Sequence, residues 1–323
     1  MIDGSDCGLW PKGRAVNVIQ KVRLRTSVGQ IEGQLAGYFP TGYPVLCTSA
    51  RVAIVLVLKA LGLKRLSSVR SFPYASHCLL DAISRVATPI PIHDGMVANA
   101  RIVNHQWGHV QRVNNQNEIL IEDAVDTLCE IGTALFPNGG DFEVWSLPKI
   151  LGTTSGGVVW CRDAVVADQV RLLRDESGPS ALCALTRLAG RSKPIFHHLW
   201  QGGECEFGAV SHFCLGELGA AVDDWSEISA KRKQNNDVLD GYKLDGLVVL
   251  PGRLPSVVPL PLEMCPLDFY SKYFHIGKRH ISCFRNGKDV VHPVLPLPVH
   301  HEVSQEYLKV FVEEIAKGAK GLY

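Results

Sequence analysis

The sequence predicts an α/β protein with a mainly parallel sheet in a large domain flanked by helices, followed by a smaller C-terminal α+β domain. Three observations carry this. Between Val45 and Trp160, short apolar runs alternate with helical patterns, as crossover units of a parallel sheet covered on both faces require. Past the long helix of about 209–239, two short apolar runs, a proline-rich stretch and a final amphipathic helix form a different pattern. Asp123, Ser146 and the Thr48-Ser49 turn all fall at the carboxyl ends of strand-like runs, where ligands bind in such sheets. The expected domains are therefore 1–225, a large ligand-binding domain with an N-terminal segment, and 226–323.

Residues 1–40, with Gly, Pro and scattered aromatics, read as irregular. Val45-Leu46-Cys47 is a short apolar run, and Thr48-Ser49 then opens a helix that runs to Leu61 and stops at Gly62. Ser68 to Phe72 reads as a strand and Cys78 to Val86 as a helix. Thr88 to Ile92 reads as a strand whose prolines place it at an edge. Arg101 to His105, Glu118 to Asp123, Phe142 to Ser146 and Gly156 to Trp160 read as further strands. Ala209 to Leu239 reads as one long helix with Lys231-Arg232-Lys233 on its polar side. Leu247 to Leu250 and Ser256 to Leu260 read as strands of the smaller domain. Pro293 to Pro298 leads into a helix from Ser304 to Lys317.

Composition excludes several functional classes. The net charge of +1 gives no field to recruit nucleic acid or an anionic membrane. No run approaches the roughly 20 apolar residues of a membrane span. The N-terminus carries no apolar signal core, so the cytoplasm is the expected compartment. Ten cysteines are scattered without a C-x-x-C, which argues against a finger-type zinc site and for free thiols in a reducing compartment. His292, His300 and His301, with His197-His198, fit no metal-ligand spacing, and no metal is expected.

The chemistry centres on Lys149. An apolar strand ends at Ser146, the lysine follows three residues on, and the pair Gly156-Gly157 opens the next strand. Upstream, Ile119 to Asp123 is a strand that ends in acid. An amine and a carboxylate at neighbouring strand ends are what an enzyme needs to hold pyridoxal 5'-phosphate (PLP). The amine makes a Schiff base, and the carboxylate keeps the pyridine nitrogen protonated. Ser146-Leu147-Pro148-Lys149 also reads as the S-x-x-K of penicillin-recognising serine enzymes. Their companion S-D-N or Y-x-N and K-T-G elements are missing, and Ser146 ends a strand rather than opening a helix. A dinucleotide oxidoreductase would need G-x-G-x-x-G after a strand, which does not occur.

Six segments, in order, resemble the DegT/DnrJ/EryC1/StrS aminotransferases, PLP-dependent enzymes of fold type I. Thr48-Ser49-Ala50-Arg51-Val52-Ala53 is similar to their S-G-(T/R)-x-A, and Phe72 to His77 to their P-x-Y-T-x. Asn104-His105-Gln106-Trp107-Gly108 is similar to V-H-x-x-G, and Ile121-Glu122-Asp123-Ala124 matches I-E-D-A. Ser146 to Lys149 with Gly156-Gly157 resembles the lysine segment, and Leu295 to His300 the closing L-P-L-H. The resemblance implies that Lys149 is the Schiff-base lysine and proton shuttle and that Asp123 is the pyridinium partner. Ser49, Ala50 and Arg51 would bind the phosphate at a helix N-terminus, with Ser146 adding a hydroxyl. Asp126 falls where the family carries Gln or His near the cofactor's phenolic oxygen.

The departures are as specific as the matches. The stacking aromatic is Ser76 here, with His77 beside it as a substitute. The N-Y-R segment that reaches a partner subunit's phosphate is His212-Phe213-Cys214, and the glutamate of G-E-G-G is Ser155. The implied function is transfer of an amino group from an amino acid, glutamate or glutamine by family habit, to a keto acceptor such as a nucleotide-linked keto sugar. The implied assembly is a homodimer with shared active sites. The alternative is a relative that keeps the fold and binds PLP but has lost transamination, serving a binding or sensory role or other PLP chemistry. The family's dehydratase branch replaces the lysine by histidine, and Lys149 is retained.

Overall fold

A computed structural model of the chain describes residues 8–12, 26–72, 75–92, 97–113, 118–181, 203–242, 246–262, 279–285 and 288–320, with Leu185 and Leu244 besides. The main sheet contains β1 (Tyr43–Cys47), β2 (Ser68–Ser71), β3 (Thr88–Pro91), β4 (Ala100–Asn104), β5 (Ile119–Asp123), β7 (Phe142–Ser146) and β8 (Gly157–Cys161), while the short strand β6 (Leu128–Cys129) pairs outside it with β9 (Arg253–Leu254). Its spatial order is β1-β8-β7-β5-β4-β2-β3. Strands β7, β5, β4, β2 and β3 are mutually parallel, whereas β8 runs against both its neighbours. The sheet is thus mainly parallel as expected, and β3, with Pro89 and Pro91, is an edge. Because β8 is reversed, β1 runs with β5 and β7, and Thr48, Asp123 and Ser146 share one end of the sheet.

Both faces are covered, and the period-two alternation of the strands sorts their side chains. Val45, Cys47, Val144 and Val159 pack beneath α2 (Ala50–Ala60), α3 (His77–Ser84) and α5 (Ala164–Ser177). Leu46, Trp145, Val158 and Trp160 face α1 (Val28–Tyr38), α6 (His212–Asp223) and α7 (Trp225–Val238). On that side Phe39, Trp145, Trp160 and Trp225 form an aromatic cluster, mostly edge to face, with ring centroids 5.1–5.7 Å apart. Helix α2 is buried nearly all round from Val52 to Leu58, which its unbroken apolar sequence permits. Gly62 (φ 68°) follows it, as the sequence predicts.

Four expectations are corrected. Residues 28–38 are helical rather than irregular. Ser27 Oγ accepts from the Gln30 amide at 3.2 Å, and Gln30 Oε1 accepts from the Ser27 amide at 2.8 Å, a reciprocal capping box. The single helix expected over 209–239 is two, α6 and α7, divided at Asp224. There the chain turns so that Trp225 is fully buried, with Nε1 donating to the Cys129 carbonyl at 2.8 Å. Arg232 is not on a polar face but completely buried, between exposed Lys231 and Lys233. Leu247 to Leu250 is irregular; it lies between Gly246 (φ 83°) and Gly252 (φ 74°), and Val248 O meets a loop amide, Val110 N–H.

A second sheet has the order β10 (Val257–Pro261), β12 (Lys288–Pro298), β11 (Arg279–Arg285). Pro293 to Pro298 forms the end of β12. Pairing with β11 stops at Val294 and pairing with β10 starts there, so among the described strands Pro296 and Pro298 pair with β10. The terminal helix α8 (Gln305–Lys320) buries Leu308, Phe311 and Ile315 against this sheet, as its amphipathic pattern predicts. Among the described residues no helix is long and apolar enough to cross a membrane. Cys47, Cys129 and Cys161 are buried free thiols, and Cys205 and Cys214 are buried as well. Pro73-Tyr74 and His197-His198 lie outside the described residues.

Candidate active site

Lys149 lies in a short helix, α4 (Leu147–Leu151), that follows β7 directly and ends at left-handed Gly152. Its amine is 3.1 Å from Asp126 Oδ1. Asp126 is buried three residues beyond the end of β5. Its Oδ1 also accepts from Trp10 Nε1 at 2.8 Å, and Oδ2 accepts from the Trp107 amide at 3.2 Å. That amide is presented by a backbone turn in which Trp107 takes a left-handed conformation (φ 57°). Asp126 is therefore an ion-pair and hydrogen-bond hub at Lys149.

Asp123 closes β5 at the same end of the sheet and is buried. Asn104, in register beside it on β4, donates Nδ2 to Oδ2 at 2.9 Å. The other oxygen, Oδ1, is buried with no hydrogen-bond partner among the described residues. Burial pushes the Asp123 pKa up to about 6, against the positive charge of Lys149, and the neighbouring Asp126 adds to the rise. A buried carboxylate with one unsatisfied oxygen fits a cationic N–H donor such as a pyridinium nitrogen.

The two halves of the sequence motifs around Asp123 complete one another. His105 Nδ1 accepts from the Gln111 amide at 3.2 Å, so Nε2 carries the proton that meets Glu122 Oε2 at 2.9 Å. Burial raises the Glu122 pKa, but the His105 contact and the Gly140 and Asn138 amides outweigh it and hold the carboxyl below its usual range. A Cβ on Gly108 would stand 2.6 Å from Pro255 Cα, so this turn requires glycine. These residues stiffen the strand ends that carry Asn104 and Asp123.

Ser49 is the N-cap of α2, its Oγ accepting from the Val52 amide at 3.2 Å; Ala50 and Arg51 begin that helix. Arg51 Nη2 donates to Cys78 Sγ at 2.9 Å, and Nε2 of His77, the exposed first residue of α3, lies 3.4 Å from the same sulfur. Ser76 caps α3 through the Leu79 amide. Ser146, half-buried, makes no capping bond at the start of α4. The glycine pair explains how the lysine loop meets this cradle. A Cβ on Gly157 would lie 2.1 Å from Ser49 C and 2.2 Å from Ala50 N. Gly156 N–H donates to Thr48 O at 2.8 Å, and Ser155 Oγ to the same carbonyl at 2.9 Å. Glu217 then fastens the loop from α6, accepting from Thr154 N at 2.9 Å and Thr154 Oγ1 at 3.2 Å.

Sequence reading missed Trp10, Asn104 as a donor to Asp123, and Arg232. Arg232 Nη2 donates to Ile150 O on the lysine helix at 2.8 Å, while burial pulls its pKa down to about 9, against the opposing charge of Asp126. Ile228, Arg232, Asn235, Asn236 and Leu239 form a buried helical stripe, a periodicity that was readable once the lysines on either side were set apart.

Solved structures share this fold. The aminotransferase TlmJ from Streptoalloteichus hindustanus superposes with a TM-score of 0.66 at 15% identity, over 98% of this chain and 99% of that one. The sugar aminotransferase CalS13 from Micromonospora echinospora gives 0.65 at 16% identity, over 96% and 99%. A DegT DnrJ EryC1 StrS aminotransferase from Brucella abortus gives 0.63 at 14% identity, over 94% of each chain. No curated protein matches the sequence. The fold is that of the fold type I PLP enzymes. A sequence profile described as "Putative PLP-dependent aminotransferase" matches residues 31–319, and the chain belongs to that family. It is a PLP-dependent aminotransferase.

Proposed function

We propose that this aminotransferase moves an amino group from glutamate or glutamine to a keto acceptor of the nucleotide-linked keto-sugar class, with PLP held by Lys149, Asp123 and the α2 cradle. The unsatisfied, buried Oδ1 of Asp123, within the electrostatic reach of Lys149, carries this reading. Ser49, Ala50 and Arg51 would bind the phosphate at the α2 N-terminus, with Ser146 beside them; His77 lies at the edge of the same cradle. Bound there, PLP would supply the electron sink for bond breaking at the substrate's α-carbon.

The chain's own residues would do the rest. A cationic N–H against Asp123 Oδ1 satisfies the orphaned atom and favours the ionised carboxylate. Asn104 fixes the other oxygen, so the carboxylate cannot rotate away from the ring nitrogen. The Lys149 amine takes the proton from the substrate's α-carbon, and Asp126, 3.1 Å from Nζ, orients it. A homodimer would complete the site. His212 and Phe213, both exposed at the start of α6, stand where the family carries its partner-reaching residues.

The test is a single turnover. PLP-loaded protein mixed with L-glutamate or L-glutamine should release about one equivalent of keto acid per site. Asp123→Asn should slow that step by about 100-fold or more, on the scale of lost acid–base and electrostatic assistance. No keto acid from any amino acid tried would favour the reading in which PLP is bound without transamination.

A further inference from the structure

We propose that Trp10 is a substrate-binding residue: its indole forms a wall of the site over the Lys149 amine, and incoming amino or keto compounds pack against it. This rests on the reading of Lys149 as the PLP-attaching residue. The Lys149 amine lies 4.7 Å from the centroid of the Trp10 ring, and Trp10 Nε1 donates to Asp126 Oδ1 at 2.8 Å, the atom paired with that amine. Indole, carboxylate and ammonium thus make one closed set of contacts, with the ring held edge-on by its N–H and face-on by the cation.

The segment that carries Trp10 is anchored on both sides of it. His300 Nε2 donates to Gly8 O at 3.1 Å, and the Lys12 amide donates to Glu302 Oε2 at 2.8 Å. Leu9 packs into the clusters beneath the second sheet, and Pro11 is buried with its φ fixed by the ring. The indole is therefore pre-positioned. Trp10 is half-buried and the Lys149 side chain is 32% exposed, so the amine is reached from solvent past this ring. Ser76, the position from which an aromatic was expected, is an exposed helix cap, and among the described residues Trp10 is an aromatic set against the lysine.

Two measurements on full-length wild type, Trp10→Phe and Trp10→Ala test this. In cofactor-free protein, reductive methylation with formaldehyde and cyanoborohydride, read by peptide mass at Lys149 against exposed Lys231, should be about fivefold faster in Trp10→Ala than in wild type. In PLP-loaded protein, the half-reaction with L-glutamate at a concentration far below saturation should be slower in Trp10→Ala by a similar factor. Trp10→Phe keeps a ring and should stay nearer wild type in both. Equal rates in all three proteins would overturn the assignment. Absence of PLP on Lys149 in wild type, with the methylation difference intact, would sink the cofactor reading and leave the Trp10 contact standing.

Discussion

At the scale of single residues, the proposed chemistry turns on Asp123. Its pKa is raised from an ordinary 3.8 to about 6 by burial. Between those values the unfolded chain has released the proton while the folded chain keeps it. The stabilising contribution is therefore fully present below about pH 3.8 and is lost as pH rises through about 6. For cofactor-free protein the loss is about 3 kcal/mol, from about two pKa units at 1.36 kcal/mol each. Asp123→Asn should lack this step, so urea titrations at pH 4 and pH 7 should show the wild-type advantage shrinking at the higher pH. A pH-independent difference would remove the assignment. PLP uptake should follow the opposite trend and strengthen as pH rises through about 6, because only the ionised carboxylate pairs with a pyridinium. The placement of Lys149 and Asp123 at neighbouring strand ends was legible in the sequence, because strand ends in a parallel sheet mark themselves by composition. Trp10 was not, since its partner Asp126 lies 116 residues away and no local pattern links them.

At the scale of elements, two glycines make opposite tests. Gly157 lets the lysine loop lie backbone to backbone against the start of α2. Gly157→Ala would drive a methyl into Ser49 and Ala50, which should cost about 3 kcal/mol or more and weaken PLP binding, measured by denaturation and by cofactor titration. Gly33, exposed in the middle of α1 with open space around its missing Cβ, should do the reverse. Gly33→Ala is expected to stabilise by about 0.5–1 kcal/mol. Helix α2 was readable from its apolar run and its serine cap. Helix α1 was missed although Ser27 and Gln30 spell a capping box, because its glycines lower helical propensity and mask the apolar stripe of Ile31 and Leu35. The division of α6 from α7 could not be read, since it depends on where Trp225 finds its hydrogen-bond acceptor.

At the scale of the whole molecule, a buried ion pair joins the main sheet to the chain leading into the second sheet. Arg253, in the short strand β9 (Arg253–Leu254), meets both carboxylate oxygens of Glu143 on β7, at 3.0 and 2.7 Å. Burial disfavours the Arg253 charge, but Glu143 outweighs it and raises its pKa. Arg253→Met should cost about 3–5 kcal/mol, because Glu143 is then left charged and buried; a thermal or urea melt reads this directly. The α/β class and the mainly parallel sheet were legible from alternation alone. The strand order, the reversal of β8 and the pairing of Arg253 with Glu143 were not, because each depends on contacts between distant segments. The most direct test of the whole account is borohydride reduction of PLP-loaded protein followed by peptide mapping. The expected result is a single pyridoxyl adduct on Lys149. An adduct on another lysine, or none after saturation with PLP, would contradict it.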